Sequence, residues 1–324
     1  MQRQQFLRSL AALGLGTLAG TARAQATRPA SIRLLVPYPA GGAADQITRL
    51  VATEASQVLG IPFVIENKAG AAGMIAAEAV LRAEPDGATF YVGANAPMVI
   101  NQAIYAKMPY DPAKDFVPVA GMGKSPLLLV TRKDLGAASV AALAEQARRQ
   151  PAPLSMGSAS SGNITHLAGE YAASQLGFKV MHVPFAGSAP AIASMMGGNV
   201  DIMFDALPSC LQQAKAGRIV PLAIMDGARF PQLPEVPTLE ELGHKGLHAS
   251  AWFGIVARAG TPQASIDALN RAVNTALQRP ELAERLRNIG AQPMPGTAEQ
   301  FGQFIAAERR QWMPLARTLG VKAD

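Results

Sequence analysis

The sequence predicts an α/β chain of two lobes joined by two crossing strands, on three observations. Short β-type apolar runs alternate with helical stretches from residue 32 onward, and the same grammar restarts near residue 127. The 300 residues after Ala24 are too many for one ordinary hydrophobic core, so two units are expected. Apolar strands at 127–131 and 252–256 stand where the pattern changes block, as in a chain that leaves one lobe, builds the second and returns.

The first block reads as a strand at 32–36, stopped by Pro37 and Pro39, then a helix from about Asp45. Its Ile47, Leu50, Val51, Ala55 and Val58 recur at three-and-four spacing. A strand at 63–66, a helix over 70–82 and a strand at 89–92 follow, with Pro85-Asp86-Gly87 as a turn. This βαβαβ start argues for a largely parallel sheet with covering helices.

In the second block, helices are expected over 140–149, 164–176, 189–196 and 208–216, between strands near 154–157, 180–184, 202–204 and 220–225. After the second crossing, Thr261 and Pro262 offer an N-cap and a first-turn proline to a helix carrying Ile266, Leu269, Val273 and Leu277. A last helix carries Phe301, Ile305, Glu308 and Trp312 and is expected to end at Pro314. The expected division is 1–24 as a leader, 25–125 with 250–324 as lobe 1, and 126–249 as lobe 2.

The leader reading rests on Arg3 and Arg8, an apolar stretch over 10–20, and the small-x-small run Ala22-Arg23-Ala24. That stretch is about half the roughly 20 residues needed to span a bilayer. Cleavage after Ala24 and a periplasmic destination are expected. The Arg3-Gln4 pair weakens a twin-arginine reading and favours the general secretory route. With no cysteine near Gln25, no lipoprotein anchor is indicated.

Removal of Arg3, Arg8 and Arg23 with no acid in the leader takes the net charge from +6 to +3. The charges are interspersed, which argues against a nucleic-acid partner. Cys210 is the only cysteine, so no internal disulfide can form, and a buried small hydrophobe is its usual state.

Two loops carry the functional signal. The first is Pro37-Tyr38-Pro39-Ala40-Gly41-Gly42-Ala43-Ala44-Asp45, between a strand and a helix. Its glycines let backbone approach a ligand, and the helix N-terminus that follows is a seat for an anion. It matches neither a P-loop nor Gly-x-Gly-x-x-Gly. The second is Gly157-Ser158-Ala159-Ser160-Ser161-Gly162-Asn163-Ile164-Thr165, again at a strand-to-helix junction, where hydroxyls and an amide converge.

The candidate contacts are therefore Ala40, Gly41, Gly42, Ala43, Ala44 and Asp45 from one block, and Gly157, Ser158, Ser160, Ser161, Asn163 and Thr165 from the other. Asp205 joins them because it ends a strand on the side where open α/β sheets bind ligands. Asp201, at the other end of that strand, reads as a solvated acid. Four or five charge-assisted hydrogen bonds of about 1.5–3 kcal/mol each would reach about −8 kcal/mol after ordering costs, without a basic side chain.

Weaker signals are Glu241, His244 and His248, whose spacing hints at a metal but is interrupted by Gly243 and Gly246, and the isolated His166 and His182. Ser160, His166 and Asp205 form the one triad a hydrolase could use. No cofactor is called for.

The chain also resembles the Bug, or TctC-like, receptors of tripartite tricarboxylate transporters. The resemblance rests on Val36-Pro37-Tyr38-Pro39-Ala40-Gly41-Gly42, Glu66-Asn67-Lys68-Ala69-Gly70, His182-Val183-Pro184-Phe185-Ala186-Gly187-Ser188, Gly198-Asn199-Val200-Asp201-Ile202-Met203-Phe204-Asp205, Leu233-Pro234-Glu235-Val236-Pro237-Thr238 and Trp252-Phe253-Gly254. It implies a type II periplasmic-binding-protein fold with an inter-lobe ligand cleft.

The resemblance further implies a monomeric receptor for a di- or tricarboxylate, acidic amino acid or aromatic acid, docking on the membrane subunits of a transporter. It adds Phe185, Ala186 and Gly187 to the site. Ala44, Ala69 and Ala72 depart from the family pattern, where Thr or Ser, Pro and Gly are usual. A periplasmic sensor feeding a signalling kinase is the alternative, and a hydrolase a more remote one.

Overall fold

A computed structural model describes residues 29–322. The leader reading, with its cleavage point, falls outside them.

The first half of the sheet is built from β1 (Ile32–Val36), β2 (Phe63–Asn67) and β3 (Thr89–Ala94), all parallel in the order β2-β1-β3. Helix α1 (Ala43–Leu59) lies against them, burying Ile47, Val51, Ala52 and Ala55 at the expected spacing. The helix expected over 70–82 begins later. Residues Ala71–Gly73 form a 3₁₀ turn with Ala71 and Ala72 at positive φ, and α2 is Met74–Arg82. After β3 a π-helical turn, Ala96–Ile100, runs into the short α3 (Asn101–Ile104), which the sequence pattern did not mark.

The strand expected at 127–131 is the end of a 17-residue strand, β4 (Phe116–Arg132). Pro118, Gly121, Gly123 and Pro126 disguise its first part, because each normally interrupts a strand. The fold absorbs them with register shifts between Pro118 and Ala120 and between Gly121 and Gly123.

The second half repeats the first: β5 (Leu154–Ser158), β6 (Val180–Pro184) and β7 (Ile202–Ala206) are parallel, in the order β7-β5-β6. Helices α4 (Val140–Arg149), α5 (Ile164–Gln175), α6 (Ser188–Met196) and α7 (Leu207–Lys215) intervene, and β8 (Ile219–Ile224) pairs antiparallel with β4. Strand β9 (Ser250–Arg258) then returns to the first half, between β3 and β4 and antiparallel to both.

The sheet therefore runs β2-β1-β3-β9-β4-β7-β5-β6. It is mixed rather than largely parallel, since antiparallel pairs join two parallel cores. Along β4, residues as far as Pro126 pair with β9, and those from Leu127 pair with β7 and β8. At that switch Ala249 bonds in both directions, its carbonyl accepting from Leu127 N and its N–H donating to Met225 O.

The C-terminal segment adds α8 (Gln263–Leu277), α9 (Pro280–Asn288), the two-residue β10 (Gln292–Pro293) on β4, and α10 (Ala298–Thr318). Thr261 does not cap α8; its hydroxyl donates back to Arg258 O. Nor does Pro314 end α10. Pro314 and Arg310, one turn earlier, are both exposed, so the carbonyl that loses its partner can turn to water. One face of α10 buries Phe301, Ile305 and Trp312, with Phe301 and Phe304 edge-on to the fully buried Trp252.

Candidate functional site

Both strand-to-helix loops converge on one cavity. Of the residues expected there, Gly42, Ala43, Ala44, Asn163, Thr165 and Asp205 line it. The others are close in sequence but serve the loops. Gly41 takes φ +85 to make the turn, and its N–H donates to the Asp45 carboxylate at 3.0 Å. Asp45 is itself a brace rather than a cavity contact: it also accepts from Arg49 at 2.9 Å and from the Asn67 amide at 3.0 Å. Burial alone would raise its carboxyl, but the Arg49 guanidinium, the Gly41 N–H and the Asn67 amide outweigh that and hold it below the usual range. Ala40 is an exposed member of the same turn.

In the second loop, Asn163 caps α5, its side chain accepting from Thr165 N, and donates through Nδ2 to the Tyr38 hydroxyl at 2.9 Å. Thr165 Oγ1 accepts from Ala159 N. Gly157 and Ser158 lie behind the wall at the end of β5, while Ser160 and Ser161 occupy the turn between.

Two histidines that look isolated in sequence meet in space and hold this loop. The rings of His166 and His182 stack with centroids 3.4 Å apart. Ser158 donates to Ser160 O, so its oxygen is left to accept from His182 Nε2 at 2.6 Å. Gly162 N donates to His166 Nδ1, which places the His166 ring proton on Nε2, toward Glu170. Burial first, and His166 beside it second, hold the His182 imidazole down at about 3.

Ser188, at the end of the 185–188 loop that the resemblance brings to the cleft, lines the wall, as do Tyr38, Asn95 and Phe253, which were not named as contacts from the sequence. Asn95 follows β3 just as the first loop follows β1, so the rule that ligands meet strand ends would have found it. Its amide donates to Glu308 and to Ser250 O, and its carbonyl accepts from Trp252 N. Phe253 comes from β9, which is registered beside Ala94. Phe185, Ala186 and Gly187 do not line the cavity; Gly187 instead packs close to Pro39 across it.

The other candidates have other duties. Asp201 is not solvated: it pairs with Arg132 at 2.8 Å and accepts from the Ser155 N–H and hydroxyl. Cys210 is buried, and burial pushes its thiol well up. Glu241 is taken by Arg229 and Thr238 N, and His248 by Glu240. Among the described residues no three His, Cys, Asp or Glu side chains come together to hold a metal. Ser160, His166 and Asp205 share no hydrogen bond; His166 turns to Gly162 and Glu170, and Asp205 to Ser188.

The cavity's electrostatics are unusual. Asp205 is fully buried, Oδ1 accepts the Ser188 hydroxyl at 2.7 Å, and burial lifts the carboxyl to about 6 against the pull of Ser188 and the Ala206 N–H. Among the described residues no Arg, Lys or His lines the wall.

The family model described as the tripartite tricarboxylate transporter family receptor, TctC, matches residues 47–321. The chain belongs to that family. TctC proteins are solute-binding receptors and not enzymes, as their solved members show. An R. palustris protein solved with adipate is 36% identical, with a TM-score of 0.87 over 90% of this chain and 98% of that one. The periplasmic binding protein BugD is 30% identical, with a TM-score of 0.85 over 91% and 99% of the two chains. MatC of Rhodopseudomonas palustris, solved with malate, is 31% identical, with a TM-score of 0.83 over 88% and 98%. The two-lobed α/β fold expected from the sequence is the fold of this TctC chain.

Proposed function

We propose that this receptor captures a small dicarboxylate in the cavity between its two strand-to-helix loops. The observation that carries the reading is the wall itself. Tyr38 accepts from Asn163 and Thr165 accepts from Ala159, so both hydroxyl hydrogens remain to donate inward. Burial keeps the Tyr38 phenol protonated well above the usual range. With the N-termini of α1 and α5 beside them, these donors make an anion seat without a cation. Ala94, Ala251, Ile164 and Phe253 supply an apolar wall for a short carbon chain. Adipate and malate, held by two of the relatives, are ligands of this kind.

The lobes proposed are 25–125 with 250–324, and 126–249, rotating about β4 and the strand junction at Ala249. Ties between them already include Ala43 N to Ser209 Oγ at 3.0 Å and Gln46 Nε2 to Pro208 O at 2.8 Å. Export with cleavage after Ala24, action as a monomer in the periplasm, and delivery to the membrane subunits of a tripartite tricarboxylate transporter complete the reading.

A thermal-shift and calorimetric screen tests it. Ligand at about 100 times its Kd adds about 2.7 kcal/mol and raises Tm by several degrees. Dicarboxylates should give this shift and be recovered unchanged; a shift by neutral sugars with none from any carboxylate overturns the reading.

A further inference from the structure

Among the described residues Asp205 is the one acid on the cavity wall, and half of its carboxylate is unused. Oδ2 is sealed from solvent and has no hydrogen-bond partner among the described residues. Buried polar atoms are nearly always bonded, so an orphan oxygen on a ligand cavity marks a place completed by the ligand.

The elements around Asp205 bring no positive charge to it. On β4 its register partner is Leu128, and on α6 its partner is the Ser188 hydroxyl. Thr165 on α5 and Ala43 and Ala44 on α1 complete that part of the wall. The titratable groups nearby are committed elsewhere. Cys210 on α7 points at the carbonyls of Asp205 and Ala206, Asp45 on α1 is held by Arg49 and Asn67, and His166 on α5 is held by Gly162. Tyr38 bonds Asn163, and Glu308 on α10 stands behind Asn95 and Trp252.

We propose that Asp205 and a carboxylate of the bound ligand share one proton across Oδ2, so that capture of a dicarboxylate takes up one proton. The inference rests on the carboxylate reading of the site. Two carboxylates within hydrogen-bond reach in a buried, cation-free cavity cannot both stay ionised. The proton comes from bulk water and ends between two oxygens as an O–H···O bond, with no other bond made or broken. Because burial, against the pull of Ser188 and the Ala206 N–H, holds the Asp205 carboxyl at about 6, the ligand-free protein is ionised at pH 8 and already protonated near pH 5. Uptake on binding is therefore near one proton at pH 8 and small near pH 5. Affinity falls up to about tenfold per pH unit above pH 7.

The test is isothermal titration of the mature protein with adipate and with malate, in phosphate and in Tris at pH 8 and again in two buffers near pH 5. The dependence of the measured heat on buffer ionisation counts the protons. One proton at pH 8 supports the proposal. Asp205→Asn offers an amide N–H to the ligand without a proton, so its uptake should vanish and its affinity lose most of its pH dependence. Dicarboxylate binding to the wild type at pH 8 with no uptake overturns the inference alone, as does full uptake by the Asn variant. Binding of no carboxylate at any pH overturns the site reading and this inference together. Should the variant not fold, the wild-type count decides by itself.

Discussion

The Asn163 amide donates to the Tyr38 hydroxyl at 2.9 Å and so ties the loop after β1 to the helix that follows β5, 125 positions away. Asn163 is at the same time the N-cap of α5, and Tyr38 is 8% exposed. One buried bond thus sets the N-terminus of a helix from one half of the sheet against the strand exit of the other. On the proposed reading, the phenol hydrogen is left for the ligand.

Tyr38→Phe removes both the acceptor for Asn163 and a donor in the cavity. Leaving the buried amide unsatisfied costs about 1–3 kcal/mol, seen as a Tm lower by a few degrees. Dicarboxylate affinity should drop at least about tenfold by calorimetry, about 1.4 kcal/mol. Affinity equal to wild type would remove the hydroxyl from the site.

Gly187 brings the loop after β6 against Pro39 of the loop after β1. It sits at φ +140, and a Cβ there would lie 2.6 Å from Pro39 Cδ. Gly187→Ala should act as a wedge between the loop after β6 and the loop after β1. Weaker binding together with a ligand-free Tm lowered by a few degrees is the expected pair of results, because φ +140 is open only to glycine. Binding unchanged by the wedge would mean that these loops need not meet when ligand is held.

Ala72 carries a positive φ of 48. The left-handed region costs an L-residue about 1–2 kcal/mol that glycine does not incur, offset in part by the extra freedom of an unfolded glycine. Asn101 Nδ2 donates to Ala72 O, which helps fix the strained turn ahead of α2. Ala72→Gly should therefore raise stability by up to about 1 kcal/mol in denaturant titration. A loss of stability would show that the alanine methyl packs well enough to outweigh the strain.

The fold was largely legible because its elements are locally consistent: α1 and α4 announce themselves by periodicity, and β5 and β7 by short apolar runs before a turn. What escaped was the continuity of β4, since Pro118 and Gly123 look like breaks when the strand partner β9, more than 120 residues away, is out of view. The two site loops were readable from glycine and hydroxyl content at strand ends. The division of labour inside them was not. Asp45 and Gly42 are three residues apart, yet one braces and the other lines the cavity, a difference set by Arg49 and Asn67 arriving from elsewhere in the fold. Likewise nothing in sequence spacing pairs His166 with His182, because a helix and a neighbouring strand bring the rings together.

That stacked pair should govern how the receptor responds to acid. The His182 imidazole is held down at about 3 in the folded protein, against about 6.5 for an unperturbed histidine. A base whose folded pKa is depressed leaves stability intact above the unfolded value, and the unfolded chain gains protons preferentially as pH falls from about 6.5 toward 3. Tm should thus decline through that window. Asp45 and Asp201, whose carboxyls are held low by their own partners, add an acid-side loss of their own, so the absolute slope is not diagnostic. The difference between proteins is. His182→Gln removes the titrating ring while keeping an amide that can donate to Ser158, and its Tm should fall less than that of the wild type between pH 6.5 and 4.5. Parallel Tm curves for the two proteins would show that the histidine stack contributes nothing to the acid response.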